Sequence, residues 1–413
     1  MTTGYLEKSY AVLKKVISEG AYVQLALRDI SAEKDLSIVT KIVYGTLEQY
    51  YLLEYNLSLY LEKKPSKTVY ILLLIGSFCL KNLNIPDYTI VNEIVDLTGK
   101  IGKKELKPFV NGVLRKISQQ QVFHPDESSE YYEEVRYNLP RWIIQLIKKQ
   151  YPNDYGEILN TDTTQMEHVR LNSTRISKNE FERIVDDFIP SQTGYFVRST
   201  PLIRDLFNKG KLTFQSLAST LVVEAAGNIK GKKVLDLCAA PGGKSVFAAE
   251  KGAEVLSCDI HEHRLKLISS YASRMGLDLK TIRNDGRKEN IALVNLFDIV
   301  FIDAPCSGLG VIKKKQDMIF SKKPEDIETL STIQGDLLEN AKNYIKIGGL
   351  IIYSTCTITD EENGKVIRTF LKNNPNYVLD IREGVFPENG FIQLLPDDKG
   401  MDGYYIARIL KIA

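Results

Sequence analysis

Through the first 120 or so residues, apolar positions recur every three or four, the spacing of one buried helix face. Leu6, Val12, Leu13 and Val16 fall on one such face, and Ile38, Ile42, Val43 and Leu47 on another. Further helices are predicted over Leu52–Leu61, Val69–Leu80, Ile90–Leu97 and Phe109–Ile117. Pro65, Asn84–Asp87 and Gly99–Gly102 punctuate the loops between them. The Val69–Leu80 run is the most apolar, yet it is interrupted by Gly76 and Ser77 and is too short for a membrane span, so it predicts a core helix. An all-α bundle follows over residues 1–125. The polar, acidic stretch Pro125–Glu130 reads as a linker. Residues 126–200 then mix a helical run, Trp142–Tyr151, with a short β-like segment at Val169–Leu171 and a helix near Glu180–Asp187; they are assigned to a small α/β connecting domain.

After about residue 230 the period switches to strand–turn–helix alternation. Strands are predicted at Lys233–Leu237, Glu254–Cys258, Leu279–Arg283, Asp298–Ile302 and Leu350–Tyr353, with late additions at Ile392–Leu395 and Gly403–Leu410. Helical runs such as Ser245–Glu250, His263–Met275 and Ile327–Ile345 lie between them. This alternation predicts a doubly wound, Rossmann-like α/β domain over residues 201–413. Ligands of such sheets sit beyond the carboxyl ends of the strands. Two cysteines fall there: Cys306 in Asp303-Ala304-Pro305-Cys306-Ser307-Gly308, and Cys356 in Tyr353-Ser354-Thr355-Cys356-Thr357. Taken alone, two thiols in one crevice fit redox, metal or nucleophilic chemistry.

The first strand–helix turn reads Asp236-Leu237-Cys238-Ala239-Ala240-Pro241-Gly242-Gly243-Lys244-Ser245. Its glycines let backbone approach a ligand at a helix N-terminus, but the spacing is not the Gly-x-Gly-x-x-Gly of nicotinamide dinucleotides. Asp259, Asp285 and Asp303 end the next three predicted strands. An acid at each position suits a nucleoside without phosphates.

A net charge of +2 confines any nucleic-acid footprint to local clusters, such as Lys100, Lys103, Lys104 and Lys107, or Lys313-Lys314-Lys315 with Lys322-Lys323. We expect phosphate contacts from them. Five cysteines without a paired framework point to a reducing cytoplasm, and no membrane segment is predicted. The four histidines form no zinc spacing with the cysteines, so no metal site is expected.

The cofactor-type turn and the two cysteine motifs together resemble the RNA cytosine-5 methyltransferases that use S-adenosylmethionine, from about Phe214 to the end. Glu362-Asn363 and Asp402-Gly403-Tyr404-Tyr405 belong to the same resemblance. Val91–Val95 and Phe109–Leu114 resemble NusB, a helical RNA-binding fold. The combination is similar to the bacterial 16S rRNA cytosine-5 methyltransferase B (Sun/Fmu) family.

That resemblance implies a role for each matching residue. Cys238, Ala239, Ala240, Pro241, Gly242, Gly243 and Lys244 would line the methionine end of S-adenosylmethionine. Asp259 would hold the ribose, Asp285 the adenine side, and Asp303 the methyl-donor region or the cytosine. Cys356 would be the nucleophile and Cys306 would assist product release. RNA, foremost 16S rRNA, is the implied partner; the alternatives are the same chemistry on tRNA or another rRNA site, or a non-catalytic RNA-binding or antitermination factor with a vestigial methyltransferase domain. Two departures bear on substrate grip: Ser216 stands where relatives carry an acid, and Lys313 and Lys314 where they often carry Arg.

Overall fold

The computed structural model describes residues 4–28, 30, 35–161, 166–381 and 389–413. Two compact units emerge: the chain up to Asn160 together with Lys315–Lys322, and the remainder.

The first unit is helical. Helices Gly4–Glu19, Leu36–Glu48, Tyr50–Ser58, Asp87–Lys100 and Lys107–Gln119 surround Lys67–Asn82, in which every residue from Val69 to Leu80 is buried. A helix apolar all round has no solvent side and takes the centre of the bundle. Gly76 sits where a Cβ would stand 2.7 Å from Leu114 Cδ2, so its absence permits the close approach of Lys107–Gln119. Lys315–Lys322 completes this unit through the short 3-10 helix Gln316–Phe320. Phe320 packs edge-on against Tyr50 with centroids 4.8 Å apart. Asp317 Oδ2 accepts from Val23 N at 2.9 Å, and Gln316 Oε1 accepts from Asn138 Nδ2 at 2.9 Å. Among the described residues no helix is long and apolar enough to cross a membrane.

The second unit opens with a four-stranded antiparallel sheet, formed by β1 (Met166–Leu171), β2 (Phe188–Pro190), β3 (Tyr195–Arg198) and β4 (Leu212–Phe214) in the order β2-β3-β1-β4. Ser216 then caps the helix Leu217–Glu224, its hydroxyl accepting from Ser219 N at 3.3 Å. The serine thus does locally what a carboxylate could do there.

The main sheet has eight strands. They are β5 (Lys233–Asp236), β6 (Glu254–Asp259), β7 (Lys280–Arg283), β8 (Phe297–Asp303), β9 (Ile345–Thr355), β10 (Tyr377–Leu379), β11 (Phe391–Leu394) and β12 (Tyr404–Lys411). The order is β10-β12-β9-β8-β5-β6-β7, with β11 on β12. β7 through β9 run parallel across β6, β5 and β8; β12 is antiparallel to β9. Ile299 to Ile302 of β8 and Leu350 to Thr355 of β9 are buried throughout, as a parallel sheet covered on both faces requires. The expected Rossmann-like sheet is present, and β8 and β9 are neighbours in register, Asp303 opposite Ser354. That register brings the two cysteine loops off one rim.

Candidate active site

β8 ends at Asp303 and β9 at Thr355, so Cys306 and Cys356 leave adjacent strands in the same direction. Their sulfurs are 3.3 Å apart, within hydrogen-bond range for thiols, and both residues are half-buried. Hydrogen bonding to Cys356, then burial, pushes the Cys306 thiol well above its ordinary range. The site thus disfavours the charged form of Cys306. Cys79 and Cys258 are buried within the two cores, their thiols pushed up to about 12 chiefly by burial. That makes them inert packing groups.

Asp303 faces the same crevice. Its Oδ2 accepts from Lys244 Nζ at 2.6 Å and its Oδ1 from Ser354 Oγ at 3.0 Å. Lys244 is 8% exposed at its side chain against 30% for Asp303, so the pair is anchored inside and opens outward at the carboxyl. The Lys244 ammonium also lies 5.6 Å from the centre of the Tyr404 ring. The sequence motif placed Lys244 in the cofactor loop; its ion pair with a residue fifty-nine positions away was not readable there.

The loop between β5 and the helix Gly243–Glu250 has the form of a cradle. Gly242 has φ +110°, a conformation that side chains resist, and its N–H closes a tight turn to Ala239 O at 2.7 Å. The peptide Ala240–Pro241 is cis. Beneath the loop, Asp236 Oδ2 accepts from Ser245 Oγ at 2.6 Å, and burial pushes this carboxyl up to about 6. Burial first, then the neighbouring Asp236, raises the Cys238 thiol.

Asp259 ends β6 almost buried, with Oδ1 accepting from His261 N at 2.9 Å. Asp285 follows β7 and is gripped by Arg287 through Nε at 3.0 Å and a second guanidinium nitrogen at 3.1 Å. That contact holds its carboxyl below the usual range. Beside it, Asn284 Nδ2 is buried without a partner. A buried donor left open next to two strand-end acids fits a ligand with a hydroxyl edge and a nitrogen-rich ring. The residues present therefore fit a nucleoside cofactor: amides and glycines at one end of the rim, carboxyls and an open donor at the other.

A second clasp closes the rim from below. Gly310 N donates to Cys356 O at 3.1 Å and Gly403 N donates to Gly310 O at 2.8 Å. A Cβ on Gly310 would stand 2.0 Å from Gly403 O, so both positions require glycine for close approach. Lys314 Nζ pairs with the buried Asp402 at 2.6 Å and donates to Gly400 O at 3.0 Å. This lysine therefore has a structural role in the clasp, with its side chain 39% exposed. Lys100 and Lys107 likewise pair with Glu7 and Asp96 on the surface of the helical unit.

The sheet order, the glycine cradle and the acids along its rim define the class: this is an S-adenosylmethionine-dependent methyltransferase. Residues 227–410 match the family described as 16S rRNA methyltransferase RsmB/F, and residues 7–119 match the NusB family. The chain is 32% identical to a Bacillus subtilis (strain 168) protein named "Probable ribosomal RNA small subunit methyltransferase B", over 97% of each. It is 28% identical to the ribosomal RNA small subunit methyltransferase B of Proteus mirabilis (strain HI4320), over the full length of both. The solved structure of PH0851 superposes with a TM-score of 0.81 at 23% identity over 98% of each chain, which shows a shared fold. NSun6 from Pyrococcus horikoshii with SFG superposes with a TM-score of 0.58 at 16% identity, over 67% of this chain and 99% of that one. The chain belongs to the ribosomal RNA small subunit methyltransferase B family.

Proposed function

We propose that the protein methylates C5 of a cytosine in 16S rRNA, in the cytoplasm, through a transient bond between Cys356 Sγ and C6 of the base. The observation that carries this reading is the crevice in which two thiols 3.3 Å apart share a rim with the Lys244–Asp303 pair. In the same reading, residues 1–125 grip RNA, 126–200 connect, and 201–413 catalyse.

C5 of an intact cytosine ring is a poor carbon nucleophile. Addition of the Cys356 thiolate at C6 breaks the aromaticity and moves electron density onto C5. S-adenosylmethionine supplies an electrophilic sulfonium methyl when bound. Cys238 to Lys244 would hold its methionine end with backbone groups. Asp259 would hold the ribose hydroxyls, and Asp285 with Asn284 the adenine side. Asp303 and Lys244 would offer the base one acceptor and one donor: the carboxyl for the exocyclic amine, the ammonium for the ring nitrogen or carbonyl that gains negative charge. A fixed cation where charge develops is an effective form of stabilisation. Once C5 carries its methyl, the C5 proton passes to solvent and its electron pair re-forms the C5–C6 double bond, expelling Cys356. Cys306, 3.3 Å from Cys356, would donate its S–H to the departing sulfur.

The test uses labelled S-adenosylmethionine with unmodified 30S-derived rRNA. The wild-type protein is expected to incorporate label as 5-methylcytosine. Cys356→Ala is expected to abolish both turnover and adduct, and Cys306→Ala to leave a protein–RNA adduct that survives a denaturing gel. Label found at another base, only in tRNA, or in no RNA would overturn the reading, and the reverse cysteine pattern would overturn the division of roles.

A further inference from the structure

Glu362 is fully buried, directly under the catalytic rim, and so far has no part in the chemistry. An isolated buried carboxylate is costly unless donors surround it. Here it has four. Oε1 accepts from Ser307 N at 2.7 Å and Gln334 Nε2 at 3.2 Å; Oε2 accepts from Ser307 Oγ at 2.5 Å and Thr359 Oγ1 at 2.7 Å. None of these donors is a cation. Gln334 Nε2 also donates to Pro305 O at 2.9 Å. Glu362 therefore holds the residue after Cys306 directly and the residue before it through Gln334.

The next residue does the same for the other thiol. Asn363 Oδ1 accepts from Thr355 Oγ1 at 2.5 Å, and its Nδ2 donates to Thr357 O at 3.1 Å. Those are the two neighbours of Cys356. Ser307 Oγ and Thr357 Oγ1, 2.8 Å apart, join the two halves, and Tyr353 Oη donates to Glu362 O at 2.6 Å. Two consecutive residues thus bracket two cysteines that lie fifty positions apart in the chain.

We infer that Glu362 and Asn363 are paired positioning residues that set the separation of the two sulfurs, Glu362 acting through Cys306 and Asn363 through Cys356. This rests on the roles given above to the two cysteines. Because Cys306 acts on the departing sulfur, loosening Glu362 slows release and leaves adduct formation in place. Because Cys356 makes the bond, loosening Asn363 slows formation, and nothing accumulates. A misplacement of about 1 Å in reacting geometry is worth on the order of 10²-fold in rate. A general loss of stability would lower both steps together and give neither signature.

The experiment compares full-length Glu362→Gln and Asn363→Asp, both close in shape to the native side chains, with wild type and Cys306→Ala on the same rRNA. S-adenosylmethionine binding by calorimetry reports whether each variant is folded. Glu362→Gln is expected to raise the gel-stable adduct at least about 10-fold over wild type while turnover falls about 10²-fold. Asn363→Asp is expected to slow adduct formation by about the same factor and to trap none. If Glu362→Gln fails to fold, Gln334→Ala, which keeps the carboxylate but removes one of its four donors and frees Pro305, is expected to trap adduct to a smaller extent. Trapping by Cys306→Ala but by neither Glu362→Gln nor Gln334→Ala would overturn the inference and leave the cysteine roles standing. Failure of Cys306→Ala itself to trap adduct would overturn those roles and the inference with them.

Discussion

Lys244 stands in the cofactor loop by sequence and against Asp303 by geometry. The two placements predict different variants. If it serves the base, Lys244→Met is expected to lower methyl transfer by about 10²- to 10³-fold, the usual effect of removing one charge-stabilising donor. Its S-adenosylmethionine affinity should change only a few-fold. A loss of cofactor affinity as large as the loss of rate would return Lys244 to the cofactor. Asp236 offers a pH test. Its carboxyl is raised by burial from 3.8 to about 6, so the native state holds its proton more tightly than the unfolded chain does. Below about pH 4 both states are protonated and the residue costs nothing. As pH rises towards 6 only the unfolded chain releases its proton, and stability falls by roughly 3 kcal/mol, then stays level. Asp236→Asn is expected to gain on wild type across that window in urea unfolding and to run parallel above it. Both cysteines were readable in the sequence because each sits in a compact motif after a strand. The Lys244–Asp303 pair and the Glu362–Asn363 brackets were not, because each depends on which strand ends lie side by side.

Among the elements, the strands of the main sheet other than β10 were readable, and most of the small antiparallel sheet was not. Continuous β-branched runs marked β8 and β9, although β9 extends from Ile345 to Thr355, well beyond the expected Leu350–Tyr353. Its first residues include Gly348 and Gly349, which carry no strand signal, yet Ile345 pairs with Phe297. In the small antiparallel sheet only part of β1 was expected. β2, β3 and β4 are three or four residues long, and β2 ends in Pro190 with little of it buried. Such strands exist because neighbours pair with them, and no periodicity can develop over so few positions. Two element-scale outcomes can be measured. Ser216→Ala should cost about 1 kcal/mol through the lost cap, whereas Ser216→Asp should cost almost nothing; chemical denaturation checks both. Gly403→Ala would put a Cβ 2.6 Å from Gly310 Cα and from Ile358 Cγ2. The clasp under Cys356 must then shift, with an expected loss of about 1–3 kcal/mol and a fall in methyl transfer that does not recover at saturating cofactor.

For the whole molecule, the division into a helical unit and a methyltransferase unit sets how it should melt. The proposed cofactor residues all lie in the second unit. Scanning calorimetry with S-adenosylmethionine at 100 times its dissociation constant should add about 2.7 kcal/mol to that unit's stability and leave the helical transition in place. A uniform shift of the whole endotherm would show that the two units unfold as one. The +2 net charge hides local structure of both signs, since Lys100, Lys107 and Lys314 of the basic clusters pair with Glu7, Asp96 and Asp402.

The eight residues Lys315–Lys322 belong to the helical unit although they are encoded within the catalytic half. The polypeptide consequently passes from one unit to the other three times, after Asn160, Lys314 and Lys322. This has a consequence for synthesis. The first 160 residues leave the ribosome early, but Asp317 and Phe320 follow only about 160 residues later, on the order of ten to thirty seconds at bacterial elongation rates. Through that interval the nascent bundle must keep open the places that Val23, Tyr50 and Asn138 reserve for them. Its last turn of packing is set while half of the methyltransferase sheet, β9 to β12, is still unmade.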